Sequence, residues 1–213
     1  MLGIRYARTL HTRARILHEV GQNKKLIQDY SVVDVGGALG GGWTASISDL
    51  VIDINAVTSP SGVSIDVCDR EAWNTMREYV ERHGLFDYAI CTHTLEDLYN
   101  PFTTLELLPR IAKAGIITMP SLRTELCRIE SAKWLGYIHH RWMFTERNGA
   151  MLVVPKLSML EHLVDNHIVY DKEQEEIVYE WTEDIPYQSF MNNYLGPDAQ
   201  TVIAEFHELI KNL

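Results

Sequence analysis

Val32-Val33-Asp34-Val35-Gly36-Gly37-Ala38-Leu39-Gly40-Gly41-Gly42 is the stretch that decides the fold. An apolar run ends in an acidic residue and then in five glycines within seven positions. Glycine costs about 0.5–1 kcal/mol relative to alanine inside regular structure. Such a density is accounted for by a strand that stops, turns tightly and lets a ligand approach bare backbone. The expected guest is the adenosyl half of a nucleotide-like cofactor, and a purely structural turn is the bland alternative.

The spacing of the small residues separates the candidates. The dinucleotide fingerprint Gly-x-Gly-x-x-Gly fails from Gly36, where the third position is Ala38, and from Gly37, where it is Leu39. A phosphate loop fails because no Lys-Ser or Lys-Thr follows the glycines. What remains is Asp-x-Gly-x-Ala-x-Gly over Asp34, Gly36, Ala38 and Gly40. This resembles the first motif of the class I S-adenosylmethionine (SAM)-dependent methyltransferases, with alanine at the middle small position.

Working outward, apolar strands alternate with helical segments. Helical character runs from about 5 to 28, with strands over 31–35, 49–54, 63–67, 86–91 and 116–119. Helices are expected over 69–83, capped by Asp69, and over 105–114, ended by Gly115. Strands that are nearly all apolar and separated by helices imply a parallel sheet covered on both faces. The last third adds strands over 150–154 and 176–181 and a helix over 199–213. The expected fold is α/β, a Rossmann-like three-layer αβα sandwich with a mostly parallel seven-stranded sheet. It forms one domain over 1–213, with a helical segment over 1–29 and acceptor-site insertions over 120–150 and 182–198.

Composition narrows the setting. Of 213 residues 46% are hydrophobic and 23% charged, as in ordinary soluble domains. No apolar run approaches the ~20 residues of a membrane helix, and Met1–Arg5 lacks the apolar core of a signal peptide. Three cysteines without Cys-x-x-Cys spacing indicate neither a disulfide framework nor a thiolate zinc site, so a reducing cytoplasm is the expected location. The net charge is −10, yet residues 1–29 hold six Lys/Arg against two acids, leaving −14 on the rest. Such a body repels phosphate backbones and disfavours nucleic-acid partners.

Five features carry the family resemblance over roughly residues 30–122. Beyond the first motif, Asp53 ends the second strand, where the family binds the ribose hydroxyls. A carboxylate suits that task because it accepts from both hydroxyls. Asp66 stands where the third motif meets the adenine amino group, with Asp69 near enough to compete. Phe86-Asp87-Tyr88-Ala89-Ile90-Cys91-Thr92-His93-Thr94-Leu95-Glu96-Asp97 is similar to the family's strand-four stretch, with Asp97 where many relatives carry a histidine. Leu108–Ile117 resembles its helix-turn-strand, with Ala114 in place of proline and Ile116 in place of glycine. The resemblance implies SAM as cofactor, held by Asp34, Gly36, Gly37, Ala38, Gly40, Asp53, Asp66, Thr92 and His93.

If the methyl acceptor is a hydroxyl, its proton needs a base, and histidine is the natural choice. His93, after strand four, is one candidate beside Asp97. Gly136-Tyr137-Ile138-His139-His140-Arg141-Trp142 is the other unusual segment. In an extended chain His139 and His140 would face opposite ways, so only one would reach the methyl. A packed Trp/His turn is the bland alternative. A divalent-metal site pairing one of these histidines with Asp97 or Glu125 stays open, and no ligand spacing singles it out. The segment resembles those of glycan-decorating methyltransferases of bacteria and large viruses, which implies a sugar or other small-molecule hydroxyl as acceptor. The rivals are a non-sugar acceptor, a non-catalytic SAM-fold interaction module, and another adenosyl-binding enzyme such as an aminopropyltransferase or dehydrogenase.

Overall fold

The computed structural model describes residues 3–37, 42–55, 61–164, 168–190, 199–211 and 213. In chain order the elements are β1 (Ile4–Ala7), α1 (Thr9–Leu26), β2 (Val32–Val35), β3 (Leu50–Asp53), β4 (Gly62–Ser64), α2 (Asn74–His83), β5 (Tyr88–Thr92) and α3 (Pro101–Leu107). They continue with β6 (Ala114–Pro120), α4 (Leu122–Glu125), β7 (Trp142–Arg147), β8 (Ala150–Pro155), α5 (Leu160–Leu163), β9 (Glu176–Thr182), β10 (Tyr187–Ser189) and α6 (Ala199–Ile210). The chain is α/β.

Seven strands form one sheet in the order β1-β9-β6-β5-β2-β3-β4. The pairs from β4 across to β6 are parallel, whereas β9 runs antiparallel to both β6 and β1. The expected mostly parallel sheet is therefore a mixed one, because the last third of the chain and the first strand return to the same edge. β1 is also a correction at the N-terminus: residues 4–7 form an edge strand before the helix begins. Nothing in the four residues Ile4–Ala7 signals a strand until β9 supplies a partner.

Both faces of the sheet are buried, which explains why its central strands are nearly all apolar. Val32, Ile90, Ile116 and Val178 share a core with Ile16 and Val20 of α1. Their neighbours Val33, Val35, Ala89, Cys91 and Ile117 share another with Trp73 and Met76 near α2 and Leu105 and Leu108 near α3. A second, three-stranded sheet β10-β8-β7 adds Phe144, Met151 and Val153 to that core. Its alternate residues Met143, Leu152 and Val154 pack with Leu122, Leu160 and Phe206 of α6. The stretch expected as an insertion over 120–150 thus contains α4 and β7, and 182–190 contains β10, all tied to the core; residues 191–198 lie outside the described residues.

Gly115 ends no helix. It lies inside β6, where a Cβ would come within 2.5 Å of the Ala89 carbonyl and 2.8 Å of the Trp181 ring. The helix before it stops at Leu107 and continues as one 3-10 turn, Leu108–Arg110. Most of the N-terminal basic charge is spent on the acidic body: Arg5 and Arg15 pair with Glu180, Arg8 with Glu173, and Lys24 with Asp49. Among the described residues, no helix is long and apolar enough to cross a membrane.

Candidate functional site

A cleft of about 460 Å³ opens at the carboxyl ends of β2, β3 and β5. β2 has β3 on one side and β5 on the other, so chain connections leave it in opposite directions and the loops part there. The cleft's volume falls in the range of small-molecule sites, roughly 300–1,000 Å³. Gly36, Gly37, Asp53, Asp66, Thr92 and His93 all line it. The structure thus brings together six of the nine residues expected to hold a cofactor.

Asp34 lies beneath the floor, 2% exposed, and accepts a hydrogen bond from the Thr44 hydroxyl. Burial pushes its carboxyl up to about 6, against the Thr44 bond and with help from the nearby Asp53 charge. The glycines are required by closeness. At Gly37 a Cβ would run into the Asp34 carboxylate, and at Gly36, where φ is +83°, into the Thr94 side chain. Thr94 in turn donates to the Val35 carbonyl at 3.3 Å, tying the ends of β2 and β5 together. Ala38 and Gly40 lie outside the described residues.

Asp53 closes β3 at 7% exposure and accepts a backbone bond from Asn55 at 2.7 Å. Asp66 stands opposite between Ile65 and Val67, accepting from the Cys68 amide at 2.9 Å and the Tyr99 hydroxyl at 3.4 Å. Of the two acids, Asp66 lines the cleft, while Asp69 accepts from the Glu71 amide at the start of the turn leading into α2. Ile54, Ile65 and Val67 supply apolar wall. Arg13 of α1 lines the cleft too, with its guanidinium 5.6 Å from the centre of the Trp43 ring.

His93 is clamped. Its φ is +50°, in the left-handed region, and its amide donates to the Thr118 carbonyl at 2.8 Å. Nε2 lies 3.0 Å from Glu176 Oε2 and Nδ1 lies 3.4 Å from Glu96 Oε1, both acids being 1% exposed. Burial alone would lower its basicity, but the bonds and charges of Glu176 and Glu96 outweigh that and raise it to about 9. The two glutamates thus favour the charged imidazolium of His93. Sequence reasoning assigned no role to Glu96 or Glu176; the one available signal was an acid opening the apolar strand β9.

Asp97, Leu98, Tyr99 and Arg141 line the cleft as well. The amides of Arg141 and Trp142 donate to the Glu96 carbonyl at 2.7 and 3.2 Å, and the Trp142 indole donates to the Leu98 carbonyl at 2.8 Å. These bonds staple the loop after β5 to the segment before β7. Asp97 Oδ1 thereby meets His139 Nε2 at 3.7 Å and His140 Nε2 at 3.8 Å. The expectation that the two imidazoles face apart fails because the chain turns here: the His140 amide donates to the Tyr137 carbonyl at 3.2 Å, and the two rings pack edge-to-face at 4.4 Å. Neither histidine lines the cleft; both stand behind Asp97. Trp142 packs T-shaped against Phe102, ring centroids 5.4 Å apart.

Behind His140, Nδ1 donates to Glu125 Oε1 at 2.6 Å. Glu125, 1% exposed, accepts from the Lys156 ammonium on its other oxygen at 2.6 Å. Gly136 is obligatory here: φ is +55°, and a Cβ would strike Glu125. A smaller cavity of about 250 Å³ lies on this side, lined by Glu125, His140 and Lys156 among others. Compared with known proteins, the chain matches no family model and no curated protein.

Proposed function

We propose that the cleft binds S-adenosylmethionine and that the protein transfers its methyl group to a hydroxyl of a small molecule or glycan, a sugar being the favoured acceptor. The observation that carries this reading is Asp53, at the carboxyl end of β3, lining the same cleft as the glycine turn Gly36-Gly37. That pairing suits a ribose against bare backbone, with the apolar Ile54, Ile65 and Val67 against an adenine and Asp66 at its rim. The parallel strands β4-β3-β2-β5-β6 support a Rossmann-like reading of this half of the sheet, with α1 on one face and α2 and α3 on the other.

The sulfonium already activates the methyl group, so the protein's work is alignment and exclusion of water, where orientation alone is worth ~7–11 kcal/mol. The acceptor end lies between Tyr99 and Arg141, whose exposed ring and forked donors suit a sugar's faces and hydroxyls. Asp97, backed by His139 and His140, is the group placed to take up the hydroxyl proton, directly or through a bound ion. Calorimetry with SAM and its demethylated product tests the cofactor. Saturable binding is expected, and Asp53→Ala weakens it by ~1–3 kcal/mol for a lost charged hydrogen bond. Absence of binding to either compound refutes the reading. Labelled SAM with a panel of glycosides tests the acceptor, and transfer only to amines or aromatic phenols would overturn the sugar assignment.

A further inference from the structure

The geometry points to a divalent transition-metal site formed by Asp97, His139 and His140 at the rim of the cleft. Each residue offers one donor atom, and the three atoms all lie within 4.8 Å of one another. Two imidazole nitrogens and one carboxylate oxygen form a donor set suited to zinc and its first-row neighbours, and poorly suited to magnesium, which demands oxygen. Tetrahedral zinc with bonds of ~2.0–2.1 Å separates neighbouring donors by about 3.3 Å. The Asp97–His139 and Asp97–His140 separations of 3.7 and 3.8 Å exceed this by about half an ångström, and the two imidazole donors lie within 4.8 Å of each other, so binding requires the exposed Asp97 and His139 side chains to rotate inward.

The surroundings of His140 are what distinguish this cluster from a chance ion pair. A carboxylate can only accept, so the His140 Nδ1 hydrogen goes to Glu125 and the Nε2 lone pair faces Asp97. Glu125 is itself held by Lys156. A histidine ligand oriented by a buried carboxylate is the usual outer-shell arrangement of metal sites. The Tyr137 ring packs on both imidazoles, at 4.7 Å from His140 and 6.1 Å from His139, and limits their freedom before any ion arrives. Three protein ligands leave a coordination position open, and one of them, Asp97, lines the cleft. A role for the ion in activating the acceptor hydroxyl rests on the methyl-transfer reading; the site itself does not.

The test is calorimetric titration of the chelator-treated full chain with Zn²⁺, without SAM, so that failure here and failure of the cofactor reading are read separately. One saturable equivalent per chain is expected. Asp97→Ala and His139→Ala, both at exposed positions, each weaken binding by about tenfold or more, while His207→Ala on α6 leaves it unchanged. Circular dichroism confirms that each variant is folded. Co²⁺ in place of Zn²⁺ gives d–d absorption with no thiolate charge-transfer band, because the donor cluster contains no cysteine. No saturable equivalent, or an equivalent indifferent to both substitutions, overturns the site.

Discussion

Raising the pH from 6 to 8.5 is expected to destabilise the fold, chiefly through His93. In the unfolded chain its imidazole titrates near 6.5, and between Glu96 and Glu176 it titrates at about 9. The difference is about 2.5 units, and each unit is worth 1.36 kcal/mol, so protonation and folding are coupled by at most about 3 kcal/mol. The sign follows from the raised value: the contribution is fully present below pH 6.5 and disappears as the pH climbs through 9. Between these limits the folded chain binds more protons than the unfolded one, and stability falls by up to about 1.4 kcal/mol per pH unit. Urea unfolding followed by tryptophan fluorescence at pH 6, 7.5 and 8.5 measures it. The control is His93→Gln, which removes the proton site and keeps a side chain of similar reach. The variant is expected to be least stable relative to the natural chain at pH 6, with the gap narrowing toward pH 8.5. Taking the difference between the two proteins also cancels the buried thiols of Cys68 and Cys127, which resist ionisation and steepen any high-pH loss in both. A flat profile in the natural chain, or an equal slope in His93→Gln, refutes the clamp.

Three further outcomes follow from the same geometry. Gly37→Ala drives a methyl into the Asp34 carboxylate; overpacking of this kind costs ~1–3 kcal/mol, read as a lowered urea midpoint, and SAM affinity falls with it. Glu125→Ala strands the Lys156 ammonium and the His140 imidazole without their buried partner, a loss of about 3–5 kcal/mol, whereas Glu125→Gln retains most of the stability. Glu125→Gln still weakens zinc by ~10–100-fold, because the oriented His140 tautomer loses its carboxylate; an unchanged zinc isotherm in that variant would show that the carboxylate does not orient the ligand.

The parts legible from sequence are those whose cause is local. Val32–Val35 is buried at every position and apolar at all but Asp34, so a core strand can be read before any partner is known. Gly36 and Gly37 announce a close approach, and the acids at 53 and 66 sit where their strands run out into the same cleft. β1 was missed for the opposite reason: its stability comes from pairing with a strand about 170 residues away. Of the helical segment expected over 105–114, residues 105–110 are helical; Gly115 belongs instead to β6, pressed against Ala89 and Trp181, contacts that exist only once the sheet is assembled. His139 and His140 were noticed as a pair, but a turn held by Tyr137, with no signature in the residue spacing, decides which way they point.

By itself the sequence determined the α/β alternation, the glycine turn and the acids beside it, because periodicity, glycine's missing Cβ and strand ends act within a few residues. Tertiary structure alone decided that the sheet is mixed. It also placed His93 between two buried glutamates and set Asp97 against a histidine pair more than forty residues away. Those arrangements depend on backbone bonds between distant loops, such as Arg141 to Glu96, and on which charges the closing core leaves without water.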